Sequence, residues 1–532
     1  MLSSTTPDHN GRRGISRIHP AAVLFWLLII SAPFICAALL QFFTGSSVRQ
    51  LDAWNTTWND EVGYNRVVVL LRNEFTPRGM AGYNEAAPAH LPYGPYNIFT
   101  YLPYFVISFA TGITTHNFIY YSNVILAVLA CLLFVILVRP GVREGFYAAV
   151  FLAMYLVAGR YIWSGMSEGS YSFFLILFTA LALWLMKNPQ ASSRGQGAAL
   201  FAMILSVFFW NTMRPYYFPL LLVPLYLLLR KKSRLSVPAK ILFVILIGLS
   251  AAGSLGLYFF FTNYNVAHYF TQNSPAQTLR ALIGGPVTAL IRQILSTNLQ
   301  ALREVLGYLR AGRWAGGITI LYLFQSLLLL FLLIRSLLTR EKARDGRCAV
   351  IFLMLLAGAA VYEANVVLYS PVQLHRMMLA ITLSYGLLLA VLGGWERLVS
   401  QIALIVLMAF LFVQAPGNFA FPQINEDTLS ASQEADLKLT FRGILPLADD
   451  PWDNTIAKLV EESDMQWEFM LPSYASLNVC QAAYMQEHLT DGTLKSRFVL
   501  LPASSDLCDV CAKHGWPVVW EGYGRLMYQL RD

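Results

Sequence analysis

Charge is what this chain has least of. Asp, Glu, Lys and Arg make up only 13% of its 532 residues, while 56% are hydrophobic and the mean hydropathy is +0.52. A soluble globular protein carries about twice that charged share, so a water-soluble enzyme is excluded. Strands of alternating polarity are missing as well. Helices are therefore the expected spanning element, because lipid offers backbone groups no water partner. No internal repeat is visible, which counts against inverted-repeat transporter folds. Cysteine is sparse and lacks zinc spacing. Cys36 and Cys131 lie in apolar runs, Cys348 starts one, and Cys480, Cys508 and Cys511 lie near the C-terminus. Cys508-x-x-Cys511 looks like a redox or metal pair, but without a second such pair the favoured reading is a structural disulfide among these three.

What is present is a series of apolar runs of roughly 18–24 residues, the mark of a polytopic helical membrane protein. Arg12, Arg13 and Arg17 precede the first, from about Ala21 to Phe43. It is too long for a signal-peptide core and has no clean cleavage site, which predicts a retained span. The formal charge of +8 is no sign of nucleic-acid binding, since much of it sits in short loops where positive-inside bias places it. Arg139 and Arg143; Lys187 and Arg194; Arg230, Lys231, Lys232 and Arg234; Arg335, Arg340, Lys342, Arg344 and Arg347; and Arg397 mark the cytoplasmic loops. The fold class expected is an all-α polytopic membrane protein of about eleven transmembrane helices, with its N-terminus inside. Ile98–Ile113 is apolar but short and contains Pro103, so it reads as a re-entrant or juxtamembrane helix.

The expected organisation is a cytoplasmic tail at 1–20, a transmembrane domain at 21–414 with outer loops at 44–97 and 263–312, and an extracytoplasmic domain at 415–532. The last holds 17 of the 30 acidic residues and no spanning run. Phe498–Leu501, Val518–Trp520 and, after a turn, Leu526–Leu530 read as strands, whereas Thr455–Glu462 and Ser476–His488 read as helical. Together they predict a small α/β domain.

Four features carry candidate chemistry. Asp60 and Glu61 stand in Trp58-Asn59-Asp60-Glu61-Val62-Gly63-Tyr64 of the first outer loop, which also holds Glu85, Tyr93 and several arginines. A carboxylate folded onto the mouth of a helix bundle can serve as a general base. The structural alternative is a helix start capped by Asn59. Glu168, in Ser167-Glu168-Gly169, falls at the outer start of a span, where an ionisable group is a functional candidate or a first-turn acid favoured by the dipole. Arg160 and Arg214 lie near outer span ends. The second outer loop begins with His268 and holds Arg280, Arg292, Arg303, Arg310 and Arg313 against Glu304 alone. Outer loops are ordinarily poor in Arg, so an anionic ligand or anionic lipid headgroups are implied. His375 and Arg376 open a late span and suit a lipid phosphate or plain snorkelling.

The order of these features resembles the GT-C superfamily of membrane glycosyltransferases, including protein O-mannosyltransferases and lipid A aminoarabinose transferases. That order is a first span, an outer loop with Asp60-Glu61-x-x-Tyr64, Tyr93-Gly94-Pro95-Tyr96 opening a short apolar helix, two spans, and Ser167-Glu168-Gly169. The resemblance implies a polyprenyl-phosphate sugar donor, a glycan, lipid or protein acceptor, an active site on the extracytoplasmic face of a bacterial inner membrane, and Asp60 as catalytic carboxylate. It assigns Glu61 and Glu168 as accompanying acids, Tyr64 as the aromatic beside them and Arg376 as a phosphate ligand; with Glu85, Tyr93, Arg160, Arg214, His268 and His375, read from the residues themselves, Tyr64 and Arg376 make up the candidate substrate-binding set. It allows a divalent metal, Mg or Mn, with Asp60, Glu61 and Glu168 as candidate ligands. The chain departs from relatives in having Glu at 168 where many carry Asp, and in lacking a Lys in Asn84-Glu85-Ala86-Ala87-Pro88. Competing classes are an O-antigen-type polymerase or ligase, a lipid-linked oligosaccharide flippase, and a membrane scaffold with a sensing tail. Charges cluster at span ends, with Glu363 the clear interior exception, which disfavours the flippase.

Overall fold

The computed structural model describes residues 19–44, 68, 72, 82–83, 98–112, 118–166, 168–213, 215–265, 285–310, 314–338, 345–368, 374–392, 401–402, 404–406, 408–409, 431–448, 451–459, 470–472 and 475–531. α1 (Pro20–Ile30) opens on a proline, whose missing N–H costs nothing at a first helical position, and the His19 ring accepts from the Ala21 amide at 3.2 Å. Ser31 ends it, and α2 (Ala32–Thr44) departs at 63°. Then come β1 (Gly82–Tyr83), α3 (Ile98–Thr111), α4 (Phe118–Val138), α5 (Val142–Met154) and α6 (Leu156–Ile162). α7 (Glu168–Lys187), α8 (Ser193–Met213), a 3-10 segment (Pro215–Leu221), α9 (Leu222–Leu229) and α10 (Val237–Asn265) follow. α11 (Val287–Arg310), α12 (Trp314–Leu338), α13 (Asp345–Leu368) and α14 (Leu374–Leu392) end this helical part.

Among the described residues six helices are long and apolar enough to cross a membrane: α4, α7, α8, α10, α12 and α13. Counting the bent pairs α1–α2 and α5–α6 as one span each raises the number to eight. The expected eleven is met only in part, because Ser31 and Tyr155 bend two apolar runs and three further apolar stretches are shorter than a span. Tyr155 breaks the α5–α6 run by 62°. Its hydroxyl donates to the Leu379 carbonyl at 3.2 Å and meets the Thr382 hydroxyl, tying the break to α14. α7 lies in the middle of the bundle: Ala180, Leu181, Ala182 and Leu183 are all buried, so no side of it faces outward there. α10 is peripheral, with Ile241, Leu242, Ile245 and Leu249 exposed. A helix apolar all round suits either position, protein core or lipid.

The C-terminal domain is built on a six-stranded sheet in the order β1-β3-β2-β4-β6-β5. Its strands are β2 (Thr455–Leu459), β3 (Ser476–Cys480), β4 (Phe498–Pro502), β5 (Val518–Gly522) and β6 (Arg525–Gln529), together with β1 from far upstream. β1 to β4 pair in parallel, and β4, β6 and β5 are antiparallel. α15 (Ala431–Ile444) covers one face, with Leu437 and Phe441 packing among Ile456, Leu477, Phe498 and Leu500. α16 (Ala482–Thr490) and α17 (Leu507–Lys513) cover the other, with Met485, Leu489 and Cys511 packing among Ala457, Val499, Leu501 and Tyr528. The turn between β5 and β6 has positive φ at both Tyr523 and Gly524, the geometry of a type I′ hairpin.

Two readings are corrected. Thr455–Glu462 is not helical but supplies strand β2, and only the latter part of Ser476–His488 is helix, the first part being β3. β2, Thr-Ile-Ala-Lys-Leu, shows no polar alternation to mark it as a strand, and β3, Ser-Leu-Asn-Val-Cys, alternates over only five residues before the chain enters a helix. Cys480, Cys508 and Cys511 are free thiols and not a disulfide. Cys480 Sγ donates to its neighbour Asn478's carbonyl at 3.8 Å, Cys508 Sγ to the Pro502 carbonyl at 3.3 Å. Cys511 is fully buried, which pushes its thiol up to about 12.

Candidate functional site

Several helices bring polar residues to one end of the bundle, where α4 and α7 begin and α8 and α13 finish. The centre is Asn123, one turn into α4. Its Nδ2 donates to the carbonyls of Ser164 at 3.0 Å and Met166 at 2.7 Å, while its Oδ1 accepts from the Tyr104 hydroxyl of α3 at 3.0 Å. Ser164 Oγ donates to the Tyr161 carbonyl at 2.8 Å and accepts from the Met166 amide at 3.2 Å. These bonds hold the α6–α7 connection in one shape. Trp163 fastens it from the other side: its indole donates to the Pro33 carbonyl of α2 at 2.8 Å, and its ring packs edge-on against Tyr120 and Phe34.

Glu168 is the first residue of α7 and is 1% exposed. The helix N-terminus favours its carboxylate there, and Tyr104, which Ser170 hydrogen-bonds, lies near it. Gly169 permits this approach, because a Cβ at that position would run into the Asn123 amide. Arg160 is buried in α6, 3% exposed, with Nη1 3.5 Å from the Trp163 carbonyl. Across α7, Phe174 stacks on Phe209 of α8 at 5.8 Å, which brings the last turn of α8 to the same end. In that turn Asn211 is fully buried, and both atoms of its side-chain amide lack a hydrogen-bond partner among the described residues. The same holds for Ser122 Oγ, Ser172 Oγ and Asn365 Oδ1. A buried polar atom left unpaired costs about 1–3 kcal/mol, and this clustering among the described residues makes the Glu168 end the candidate site.

Of the residues singled out from sequence, the structure places Arg160 and Glu168 on either side of the α6–α7 connection, both buried. His375 and Arg376 lie in the first turn of α14. Asp60, Glu61, Tyr64, Glu85, Tyr93, Arg214 and His268 lie outside the described residues. The segment bearing Asp60 and Glu61 joins α2 to α3, and both meet the bundle at the Glu168 end through Pro33 and Tyr104. Within that segment β1 pairs with the C-terminal sheet, Gly82 opposite Leu477 and Tyr83 opposite Asn478. Sequence reasoning passed over Tyr104, Asn123 and Asn211; the available signal was a carboxamide inside a long apolar run. Among the described residues no group of three His, Cys, Asp or Glu side chains is placed to hold a metal ion.

No family model matches the sequence, and no curated protein matches it. Solved structures similar to the chain include the archaeal oligosaccharyltransferase AglB from Archaeoglobus fulgidus in complex with an inhibitory peptide and a dolichol-phosphate. It is 11% identical over 92% of this chain and 70% of that one, with a TM-score of 0.48. ArnT from Cupriavidus metallidurans in the apo state is 11% identical over 96% of this chain and 99% of that one, at 0.47. The same ArnT bound to undecaprenyl phosphate is 11% identical over 96% of this chain and 98% of that one, at 0.44.

Proposed function

We propose that the protein is a membrane glycosyltransferase of the GT-C type. It moves a sugar from a polyprenyl-phosphate donor to a glycan, lipid or protein acceptor on the extracytoplasmic face. The observation that carries this reading is the collection of buried polar side chains at the Glu168 end of an otherwise apolar bundle, beside the two helices that the Asp60–Glu61 segment connects. A lipid-linked sugar needs such a place: polar groups to hold a sugar and a phosphate, set at the edge of lipid.

In the proposed reaction Asp60 takes the proton of the acceptor hydroxyl as its oxygen attacks the anomeric carbon. The bond from that carbon to the donor phosphate oxygen breaks, polyprenyl phosphate departs, and the carbon inverts. Arg160, Arg214 and Arg376, with His268 and His375, counter the charge gathering on the leaving phosphate. Tyr64, Glu85 and Tyr93 contact the substrates, and Glu168 orients them from the first turn of α7. Asp60, Glu61 and Glu168 are the candidate ligands for a Mg or Mn ion, which would add positive charge near the phosphate.

The test uses the purified full-length protein and a radiolabelled polyprenyl-phosphate sugar. Transfer is expected with the wild type and should fall at least about 100-fold in Asp60→Asn. Full activity in Asp60→Asn removes Asp60 as base. Failure to turn over any donor, together with scrambling of lipid-linked glycans in liposomes, replaces the transferase by a flippase.

A further inference from the structure

The proposed chemistry makes no use of α11, a 24-residue helix in a stretch rich in arginine. It is not among the helices apolar enough to span a membrane, yet it has three distinct faces. The first is fixed to the protein. It packs on α12 and α13, buries Ala301 and Val305, and donates from Asn298 Nδ2 to Glu363 Oε2 at 2.9 Å. Glu363 lies close to the end of α13 that reaches the Glu168 end of the bundle, so α11 lies there too.

The second face is an apolar stripe with no described residue over it. Ile291, Leu295, Leu299, Leu302 and Leu306 are 52%, 66%, 50%, 51% and 46% exposed. Their spacing puts them within one arc of about 80° at 3.6 residues per turn, beside the packed face rather than on it. The stripe has a counterpart on the spanning helix α12, where Leu323 and Leu327 are also exposed. The third face begins with Arg292, Arg303 and Arg310, all exposed and all along the far edge of the stripe, and continues into exposed Gln293, Ser296 and Gln300. Glu304 is the helix's single acid. Apolar stripe, arginine seam and polar back are the three zones of a helix lying in a membrane interface. Its aliphatic residues enter the acyl chains and its guanidinium groups meet phosphate at headgroup depth.

We propose that α11 is a bilayer-surface helix at the Glu168 end, whose stripe sits in the leaflet there and whose Arg292, Arg303 and Arg310 bind the phosphates of anionic phospholipid. A partner protein would cover the stripe but leaves the arginine seam without a purpose, whereas an anionic leaflet matches both at once. This inference does not rest on the transferase reading. It accounts for the concentration of arginine in this segment and sets the depth at which the site meets lipid.

The experiment places the full-length protein in nanodiscs of phosphatidylcholine and phosphatidylglycerol, in a Cys348→Ser, Cys508→Ser background. Spin labels attached through Leu295→Cys and Leu299→Cys should collide with lipid-soluble oxygen and escape an aqueous nickel chelate. Labels attached through Gln293→Cys and Gln300→Cys should do the reverse. Replacing Arg292, Arg303 and Arg310 together by Gln should reduce the enrichment of phosphatidylglycerol retained by the protein at least about fivefold. Equal aqueous access at 295 and 293 overturns the proposal. So does a short label-to-label distance between two copies at 295, which makes the stripe a dimer contact. An unchanged phosphatidylglycerol enrichment in the triple variant overturns the role of the arginines, and a loss confined to added polyprenyl phosphate assigns them to the donor instead.

Discussion

The Lys187 end of the bundle and the Glu168 end are made from the same helices and treat their polar groups differently. At the Lys187 end, Lys187 Nζ reaches Glu144 Oε2 and the Val138 carbonyl, both at 3.2 Å, and Glu144 accepts from the Gly141 amide at 3.1 Å. Arg230 donates to the Leu185 carbonyl at 2.8 Å, and Gln196 accepts from the Arg234 amide at 2.9 Å and donates to the Pro189 carbonyl at 3.2 Å. These side chains close helix ends that would otherwise leave backbone groups bare, with Arg230 Nε and Ser233 Oγ as exceptions. At the Glu168 end the polar side chains are wholly buried, and those of Asn211, Ser122 and Ser172 keep hydrogen-bonding capacity that no described residue uses. At the Lys187 end most polar side chains find partners within the protein; at the Glu168 end several find none among the described residues.

The largest effect expected from that contrast is on catalysis. Glu168→Gln should lower the turnover of the proposed transfer by about 100-fold or more, while Glu144→Gln at the opposite end leaves it unchanged. Equal losses in the two variants, measured with the same donor, would break the comparison. Next comes packing. Gly169→Ala forces a Cβ into the Asn123 amide and should cost about 1–3 kcal/mol, read as a lowered Tm in detergent. Gly141→Ala meets nothing within 4 Å and should stay within about 0.5 kcal/mol. A third test asks whether the C-terminal domain belongs to the Glu168 end. A Tyr83→Cys, Asn478→Cys pair, set opposite each other in the β1–β3 ladder, should cross-link under mild oxidation, and no cross-link would detach the domain from the segment that carries Asp60. The smallest effect is expected at the Lys187–Glu144 pair, which is partly exposed. Lys187→Ala should cost no more than about 1 kcal/mol, and a larger loss would mean that the closed end contributes more to stability than its solvent contact implies.

Much of the fold was legible from local pattern. The apolar runs announced α4, α7, α8, α10, α12 and α13, and Glu168 stood where a span was expected to begin. The β5–β6 hairpin followed from two short apolar runs around a Gly-Tyr-Gly turn. β2 escaped because its residues show no alternation, and β3, which does alternate, because it is only five residues long and leads directly into α16. α11 was read as part of a loop because its arginines masked an apolar repeat of helical period. The candidate site was legible only at Glu168 and Arg160. Nothing near Asn123 in sequence says that it will hold the carbonyls of Ser164 and Met166, 41 and 43 residues away.

By itself the amino-acid sequence determined the solvent this protein lives in and where its long apolar helices lie. Hydropathy, helix period and helix-end chemistry are local properties, complete within twenty residues or so. Only the tertiary structure decided which polar groups meet: that Asn123 braces the loop before Glu168, that Gly169 is small because Asn123 is there, that Asn211 is buried at the same end, and that a strand from the Asp60 segment joins a sheet almost 400 residues further on. Those contacts depend on helix packing over long separations, and apolar side chains that interchange freely in lipid leave little trace of such pairing in the order of residues.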